Sequence, residues 1–247
     1  MKRLATLLLA PMLSIALSGS AIAGPLCSDC QATYQLFVNG DSVSGGGLRV
    51  DDNGNVVLAE PVGFQGEGFS IGLDSLSGNV DPFVIFGIGA TNNTDAPLGF
   101  AFAFTIPINL GGVIKADASV TYSVTDGRGD GATLFPISGT GKVVDSQDLN
   151  SATGLSTDKG VDIGDACSVG PPAGAYLCGP FNASSIFGSV GGPTYDLMSV
   201  IVAFGLSPHD AAGLSGLVSQ TPVPEPGTLL LLGSGLAGLL TFGRRSA

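Results

Sequence analysis

The sequence contains 247 residues and has a formal net charge of −11, with 12% charged residues, 7% aromatic residues and no Trp. Such an acidic chain repels the phosphates of nucleic acids and anionic membrane surfaces, which excludes nucleic acid as a partner. The 39 glycines, with abundant Val, Ile, Phe, Thr and Ser, favour short strands joined by tight turns. We therefore predict an all-β fold, an antiparallel β-sandwich of the jelly-roll or Ig-like type.

The N-terminus has the three parts of a secretion signal in order: a basic start, an apolar run and a small-residue cleavage site. Ala21 and Ala23 occupy the small positions, so signal peptidase would leave Gly24 as the first mature residue. The apolar run is short for a permanent membrane helix. We predict a signal peptide over residues 1–23 and export of the protein.

Residues 24–219 form the predicted body and carry the strand signals. Residues 119–125 alternate strictly between polar and apolar side chains, which is the period of a half-buried antiparallel strand. Residues 98–106 alternate large apolar with small side chains, as expected of a strand between two packed layers. The predicted strands are 31–38, 55–58, 66–73, 83–88, 98–106, 119–125, 141–145 and 197–206.

Clusters of Asp, Asn, Gly, Ser and Pro between these strands predict turns. They lie at residues 51–55, 92–95, 126–131 and 207–210. Many short strands without a long amphipathic helix favour a sandwich. Residues 148–192 are the least regular part of the body, and we predict long loops with short strands there.

The four cysteines form an even set, which in an exported chain favours disulfides. Three pairings of Cys27, Cys30, Cys167 and Cys178 are open. The local pairs Cys27–Cys30 and Cys167–Cys178 are favoured, and the second would staple the irregular segment. A thioredoxin-like redox pair is disfavoured because no βαβ pattern surrounds Cys27, and a zinc site because the second pair is too widely spaced.

The acidic loops supply the one metal hypothesis. Asp126 and Asp130, and the cluster of Asp158, Asp162 and Asp165, offer oxygen ligands of the kind that Ca²⁺ takes. The first of these loops lacks the bidentate Glu of an EF-hand, so turn formation is the favoured interpretation. We otherwise expect no cofactor and no metal.

His209 is the single histidine of the chain and lies beside Asp210. A Ser/His/Asp triad would need His209 as its base. The sequence has no Gly-x-Ser-x-Gly elbow between a strand and a helix, so a solvated turn histidine is the favoured interpretation. We predict no catalytic residues and a protein that is not an enzyme.

The C-terminal segment, residues 220–247, begins with a short linker and a proline-bracketed acid. Pro224, Glu225 and Pro226 continue neither a helix nor a strand ladder, so this tripeptide stays extended and accessible. The tripeptide therefore separates the body from the C-terminal apolar residues.

An apolar stretch occupies residues 227–243, at the lower limit of a membrane-spanning length, and we predict a hydrophobic helix there. Arg244 and Arg245 then stay on the cytoplasmic side by the positive-inside rule and stop export. The stretch would hold the body at the outer face of the inner membrane as a removable anchor. Its large apolar residues are Leu229, Leu230, Leu231, Leu232, Leu236, Leu239, Leu240 and Phe242.

This tail resembles the PEP-CTERM sorting signal of Gram-negative bacteria. The resemblance implies that the membrane enzyme exosortase recognises Pro224, Glu225 and Pro226 and cleaves there, with the apolar stretch as transient anchor and Arg244-Arg245 as the stop. It covers about the last 25 residues. A plain membrane anchor that is never cut is the alternative.

The body also resembles a subset of PEP-CTERM proteins, more loosely. Residues 81–108 are similar to their "DPF … N.T … PL.F.F..PI" pattern, and residues 204–216 to their closing "F.LS.GD….LSG" strand. His209 stands where the usual residue is Gly. This second resemblance implies no defined activity.

These features favour an exported structural protein of the cell surface or extracellular matrix, associated with biofilm or exopolysaccharide and cleaved by an exosortase. It would pass through the inner membrane transiently. A carbohydrate-binding or adhesive module is the alternative, although the chain lacks Trp and has only four Tyr for a sugar platform. A secreted hydrolase is the least favoured hypothesis.

Overall fold

The computed structural model describes residues 31–171, 174–189 and 191–223. The signal peptide, the Cys27–Cys30 pair, the Pro-Glu-Pro tripeptide and the C-terminal apolar stretch lie outside the described residues. The described part forms strands and no helix, and its strand pairings are antiparallel. The predicted all-β sandwich is therefore confirmed.

Sixteen strands follow one another along the described chain. Their bounds are β1 Thr33–Val38, β2 Asp41–Gly47, β3 Arg49–Val50, β4 Asn55–Val57, β5 Val62–Gly66, β6 Phe69–Asn79, β7 Phe83–Asn92, β8 Leu98–Leu110, β9 Val113–Asp126, β10 Ala132–Pro136, β11 Val144–Asn150, β12 Leu155–Asp158, β13 Cys167–Val169, β14 Ala175–Gly188, β15 Tyr195–Leu206 and β16 Asp210–Pro222.

The strands form two sheets of eight strands each. The first sheet has the order β12-β11-β15-β8-β1-β2, with β10 beside β15 and β13 beside β10. The second has the order β14-β9-β16-β7-β6-β4-β3, with β5 beside β6. The chain changes sheet between β7 and β8, β8 and β9, β14 and β15, and β15 and β16, so long strands line both layers around one apolar core.

The alternation of side chains in the long strands decides which face meets the core. In β9, Tyr122 and Val124 point inward and are buried, whereas Thr121 and Ser123 lie on the outer face. A period of two places successive residues on opposite faces, so one face of each strand can be apolar and the other polar. The sandwich results from this pattern repeated in both sheets.

Aromatic side chains fill the space between the sheets. Phe100 and Phe204 come from neighbouring strands of the first sheet, and their ring centroids lie 5.9 Å apart. Phe86 of the second sheet reaches Phe104 of the first at 5.7 Å. Burying a Phe side chain contributes roughly 1.5–3 kcal/mol, so this aromatic layer is a main source of the stability that joins the sheets.

Residues 148–192 differ from the predicted long loops with short strands. They contain β14, a strand of 14 residues that pairs with β9 at the edge of the second sheet. Its register shifts between Cys178 and Phe181, on either side of Pro180. Proline lacks an N–H and is tolerated at such a bulge on an edge strand. The Gly-Pro pair in its middle is the reason that the sequence did not predict this long strand.

The structure also moves two predicted boundaries. Strand β16 continues through Gln220 to Pro222, beyond the body limit at 219, because β9 supplies backbone partners as far as Ile114. Strand β11 begins at Val144 and not at residue 141. Strands β2, β5 and β10 are additions, and each is short or rich in Gly.

No helix among the described residues is long and apolar enough to cross a membrane.

Candidate functional site

The sorting segment leaves the body directly from a central strand. Strand β16 lies between β7 and β9 in the second sheet, and its last pair is Pro222 with Ile114. The next residue is still held, since the N–H of Val223 donates to the carbonyl of Val113 at 2.8 Å. Pro224 comes next in the sequence, so the Pro-Glu-Pro tripeptide begins where the folded body ends.

The opposite end of the sandwich is closed by three loops, residues 93–97, 127–131 and 207–209, which we call the distal loops. Asn92 joins two of them. Its side-chain N–H group donates to the carbonyls of Ala96 at 2.8 Å and of Leu206 and Ser207 at 3.1 Å. Its side-chain oxygen accepts from the N–H and the hydroxyl of Thr94. The Asn-x-Thr of the "DPF … N.T" pattern therefore has a structural role, because it holds two loops together through hydrogen bonds.

Asp126, the first Ca²⁺ candidate, organises its own loop. Its carboxylate accepts backbone N–H groups of Gly129 at 2.7 Å, Gly131 at 2.9 Å and Arg128 at 3.1 Å. Desolvation opposes ionisation, but these backbone donors outweigh it and hold the pKa of Asp126 below its usual value. The turn interpretation therefore accounts for the carboxylate of Asp126. Asp130 interacts with it only through its backbone and not through its side chain.

The other acidic candidates point to different partners. Asp158 accepts the N–H of Gly160, and Asp162 accepts the N–H of Ser146 at 3.1 Å. Asp165 forms an ion pair with Lys142 at 2.6 Å. Within residues 31–171, 174–189 and 191–223, no group of three or more His, Cys, Asp or Glu is arranged to hold a metal ion.

His209 lies in the distal loops with its side chain only 14% exposed. Its ring Nε2 lies 2.8 Å from Asp95 Oδ1, and that hydrogen bond is the main reason that the pKa of Asp95 is lowered. Asp210 instead bonds to Ser207 and to the N–H of Gly127. The His209–Asp210 pair that a triad needs is thus replaced by contacts between loops.

The disulfide between Cys167 and Cys178 is present, and this predicted pair is confirmed. Cys167 belongs to β13 of the first sheet and Cys178 to β14 of the second. Both residues are buried. The bond therefore joins the two sheets, beyond stapling a local segment as the sequence suggested.

The outer face of the second sheet carries an open groove of about 690 Å³. Its floor is flat because Gly72, Gly89 and Gly213 are direct neighbours across β6, β7 and β16. Phe64 of β5 and Asp74 of β6 stand among its lining residues. The groove therefore has a flat glycine floor with an aromatic ring and a carboxylate among its lining residues.

Comparisons with known proteins find the PEP-CTERM protein-sorting motif at residues 222–246. No curated protein matches the chain. Among solved structures, the enzymatically active domain of bacteriophage CBA120 tailspike protein 4 is similar at 10% identity and a TM-score of 0.29, with 70% of this chain and 20% of that chain covered.

TmCBM61, solved in complex with β-1,4-galactotriose, is similar at 10% identity and a TM-score of 0.24, with 77% of this chain and 88% of that chain covered. This chain spans about a fifth of the tailspike chain. Scores this low carry no argument about ligand or activity. The sorting motif is the informative match: the chain carries a PEP-CTERM protein-sorting motif at its C-terminus.

Proposed function

We propose that the β-sandwich is a structural protein without enzymatic activity, released from the inner membrane by exosortase to the cell surface or extracellular matrix. The observation that carries this proposal is the sorting motif at residues 222–246, which starts on the last strand of a compact sandwich. Before cleavage, Leu229 to Phe242 would anchor the body and Arg244-Arg245 would stop export.

The body has the properties of a durable extracellular module. A disulfide joins its two sheets, and such bonds form and persist in oxidising environments such as the cell surface. The polar side chains of the distal loops are engaged with one another in turns and loop contacts. These features support a role in which the folded shape itself is the useful product.

The proposal is tested by fractionating wild-type and exosortase-deficient cells of the native host. We expect mature wild-type protein to lack residues 229–247 and to leave the membrane, as read by mass spectrometry of its C-terminus. In the deficient strain, the intact tail should keep the protein in the inner membrane. Mature wild-type protein that still carries Arg244 and Arg245 would contradict cleavage and support the permanent anchor.

A point variant makes the test specific to the tripeptide. Glu225→Ala should leave the tail uncut, because the acid between the two prolines is the one charged group in the proposed recognition site. Glu60→Ala, at an exposed position of the body, is the matched control and should be processed normally. Equal processing of both variants would remove Glu225 from the recognition step.

A carbohydrate-binding or adhesive role is the second candidate, and the groove on the outer face of the second sheet favours it. We expect an extracellular polysaccharide of the native host to bind there, as measured by calorimetry. Gly89→Val and Gly213→Val should abolish binding, since an added Cβ at either site meets only ordinary contacts of 3.4 Å or more and so fills the groove without disrupting the sheet.

Gly47→Val is the control, because Gly47 is exposed and has open space around it. Binding that survives both groove variants would rule out this face. The hydrolase hypothesis is tested separately by glycosidase and esterase assays. An activity that His209→Ala abolishes would support it.

A further inference from the structure

A cluster of polar side chains is buried where the two sheets face each other, and we call it the Lys159 cluster. Its members are Ser146 and Asp148 of β11, Lys159 immediately after β12, and Gln220 of β16. All four residues are buried, and the side chains of Asp148 and Lys159 have no exposed surface. A lysine is almost never fully buried unless it is paired, so this site requires an explanation.

The pair at the centre of the cluster is close but incompletely bonded. Lys159 Nζ lies 3.1 Å from Asp148 Oδ1, and Gln220 Nε2 donates to that same oxygen at 2.9 Å. Among the residues that the structure describes, Lys159 Nζ and Asp148 Oδ2 have no hydrogen-bond partner. The oxygens of Ser146 and Gln220 side chains in the cluster are also unpartnered. A buried ion pair is costly when its remaining donors and acceptors stay unsatisfied.

Burial moves both groups of the pair toward their neutral forms. Desolvation raises the pKa of Asp148, and the charge of Lys159 offsets only part of that rise. Desolvation also lowers the pKa of Lys159 to about 8, although Asp148, Asp162 and Asp145 act to raise it. A neutral amine is a nucleophile, and a protonated carboxyl is the electrophile that it can attack. The environment therefore favours the two forms that can react with each other.

We propose that Lys159 and Asp148 condense into an intramolecular amide after the sandwich folds. The geometry that supports this is the contact between Lys159 Nζ and the Asp148 carboxyl in a site that excludes water, where condensation is not opposed by bulk solvent. The bond would be a second covalent cross-link in the body, beside the Cys167–Cys178 disulfide.

The reaction balances without any co-reactant. A proton passes from the Lys159 ammonium to Oδ2 of the Asp148 carboxylate, and the neutral Nζ attacks Cγ. Oδ1 is held by the donor of Gln220 and becomes the amide oxygen. Oδ2, which has no partner among the described side chains, takes the second proton from Nζ and leaves as water. One N–C bond forms and one C–O bond breaks.

Gln220 is the positioning residue in this proposal. It is on β16 of the second sheet, whereas Asp148 is on β11 of the first, so its hydrogen bond fixes the carboxyl only once the two sheets have packed together. The backbone N–H of Lys159 donates to the carbonyl of Ser146 at 3.3 Å and holds the lysine opposite β11. Folding therefore assembles the reactive pair.

The test is mass spectrometry of the full chain purified from an exporting host, after reduction of disulfides. The expected mass is lower than that of the processed sequence by one water. Trypsin should cut after Lys142 but not after Lys159, because an acylated lysine is not a trypsin site. The linear peptide 143–159 should therefore be missing from the digest of the folded protein.

Three variants separate the chemistry from a purely structural effect. Lys159→Arg keeps the charge but has no nucleophilic amine, and Asp148→Ala removes the acceptor, so both should restore the full mass. Asp148→Asn should give the same product mass as the wild type, because ammonia would leave in place of water. Gln220→Leu should slow the appearance of the cross-linked form during refolding, while the final product still lacks one water relative to the variant's own sequence.

Two outcomes would overturn the proposal. One is a wild-type protein that has the full mass of its sequence and whose tryptic digest contains peptide 143–159. The yield of this peptide would then equal the yield from protein that was kept denatured from its synthesis onward. The other is a mass loss that persists in Asp148→Ala. Neither outcome bears on sorting, because the anchor and the tripeptide lie outside the cross-linked segment.

Discussion

At the scale of single residues, His209 stands in a backbone conformation that favours glycine. Its φ is 60°, and Gly is the usual residue at this place in the proteins whose closing strand the body resembles. A residue with a side chain in the left-handed region costs roughly 1–2 kcal/mol. The contact with Asp95 compensates little, because the side chain of Asp95 is 91% exposed.

We therefore expect His209→Gly to be more stable than His209→Ala by about 1 kcal/mol, measured as free energy of unfolding in denaturant. Both variants remove the imidazole, so their difference isolates the backbone. Ala211→Gly, on strand β16, is the control and should lose stability, since Gly weakens a strand. A His209→Ala variant that equals or exceeds His209→Gly would contradict this explanation.

Asp162 is the residue that should govern stability in mildly acidic solution. Desolvation raises its pKa from 3.8 to about 6, with Asp145 and Asp158 adding to the rise. Between about pH 4 and 6 the folded state binds more protons than the unfolded state, so this carboxyl makes stability fall as the pH rises through that window.

Asp162→Asn should remove that fall and stabilise the protein at pH 7 by on the order of 1 kcal/mol, a value reduced because solvent screens a partly exposed carboxylate. The Asn side chain can still accept the N–H of Ser146, so the turn is kept. Unfolding free energies at several pH values check this. Asp52→Asn, at an exposed site, is the control for removing one carboxylate. An unchanged profile in Asp162→Asn would contradict the assignment.

At the scale of elements, the edge formed by β13 and β14 is held by the disulfide. Strand β13 makes only three backbone-paired positions with β10, so it has little to hold it besides Cys167. A cross-link that closes a loop of this length contributes roughly 3 kcal/mol by restricting the unfolded chain. It also fixes the two sheets relative to each other at one edge.

We expect Cys167→Ser with Cys178→Ser to lower the free energy of unfolding by about 3 kcal/mol, and reductant to have no further effect on that edge. Cys27→Ser with Cys30→Ser is the matched control. It should cost less, because the loop that the predicted Cys27–Cys30 bond would close is much shorter, and closing it would restrict the unfolded chain less. Equal losses in the two double variants would show that the sheet-to-sheet link is not the source of the stability.

At the scale of the whole molecule, β16 runs from the distal loops to the start of the sorting motif. Its 13 residues span roughly 40 Å at a rise of about 3.3 Å per residue. The sorting segment leaves at Pro222, and the distal loops close the end where Asp210 begins the strand. A body anchored by its tail would therefore present the distal loops away from the membrane.

The close attachment of the tripeptide to the fold leads to a prediction about processing. Because Val223 is bonded to Val113, an enzyme that grips Pro224 to Pro226 must work against the folded body. Inserting Gly-Ser-Gly-Ser after Val223 should raise the rate of tail removal in a pulse-chase experiment. The same insertion at Gly154, an exposed turn, is the control. If both proteins are processed at the wild-type rate, the fold does not limit access.

The strand pattern of the long core strands was readable from the sequence, since it depends on local alternation. Residues 119–125 and 98–106 lie in β9 and β8, and the turns at 51–55 and 126–131 are where the Asp side chains cap the backbone. Strand β14 was not readable, because its pairing with β9 overrides the Gly-Pro pair in its middle.

The Lys159 cluster left no signal in the sequence either. Ser146 and Asp148 occupy inward positions of β11, where alternation predicts apolar residues, and Lys159 comes after a short strand in the segment interpreted as loops. Only the packing of β16 against β11 brings Gln220 to them from 72 positions away. Polar residues at inward positions acquire meaning when their partners come from the other sheet.

The sequence by itself determined the PEP-CTERM sorting motif and the prediction of export, because both depend on contiguous segments, and it determined the all-β class, because alternation is local. The tertiary structure decided which cysteine bond links the sheets, which histidine contact forms, and which lysine is buried beside a carboxylate. Those features depend on residues far apart in the chain meeting in the folded protein, and for the lysine and its carboxylate the burial and desolvation then set the chemistry.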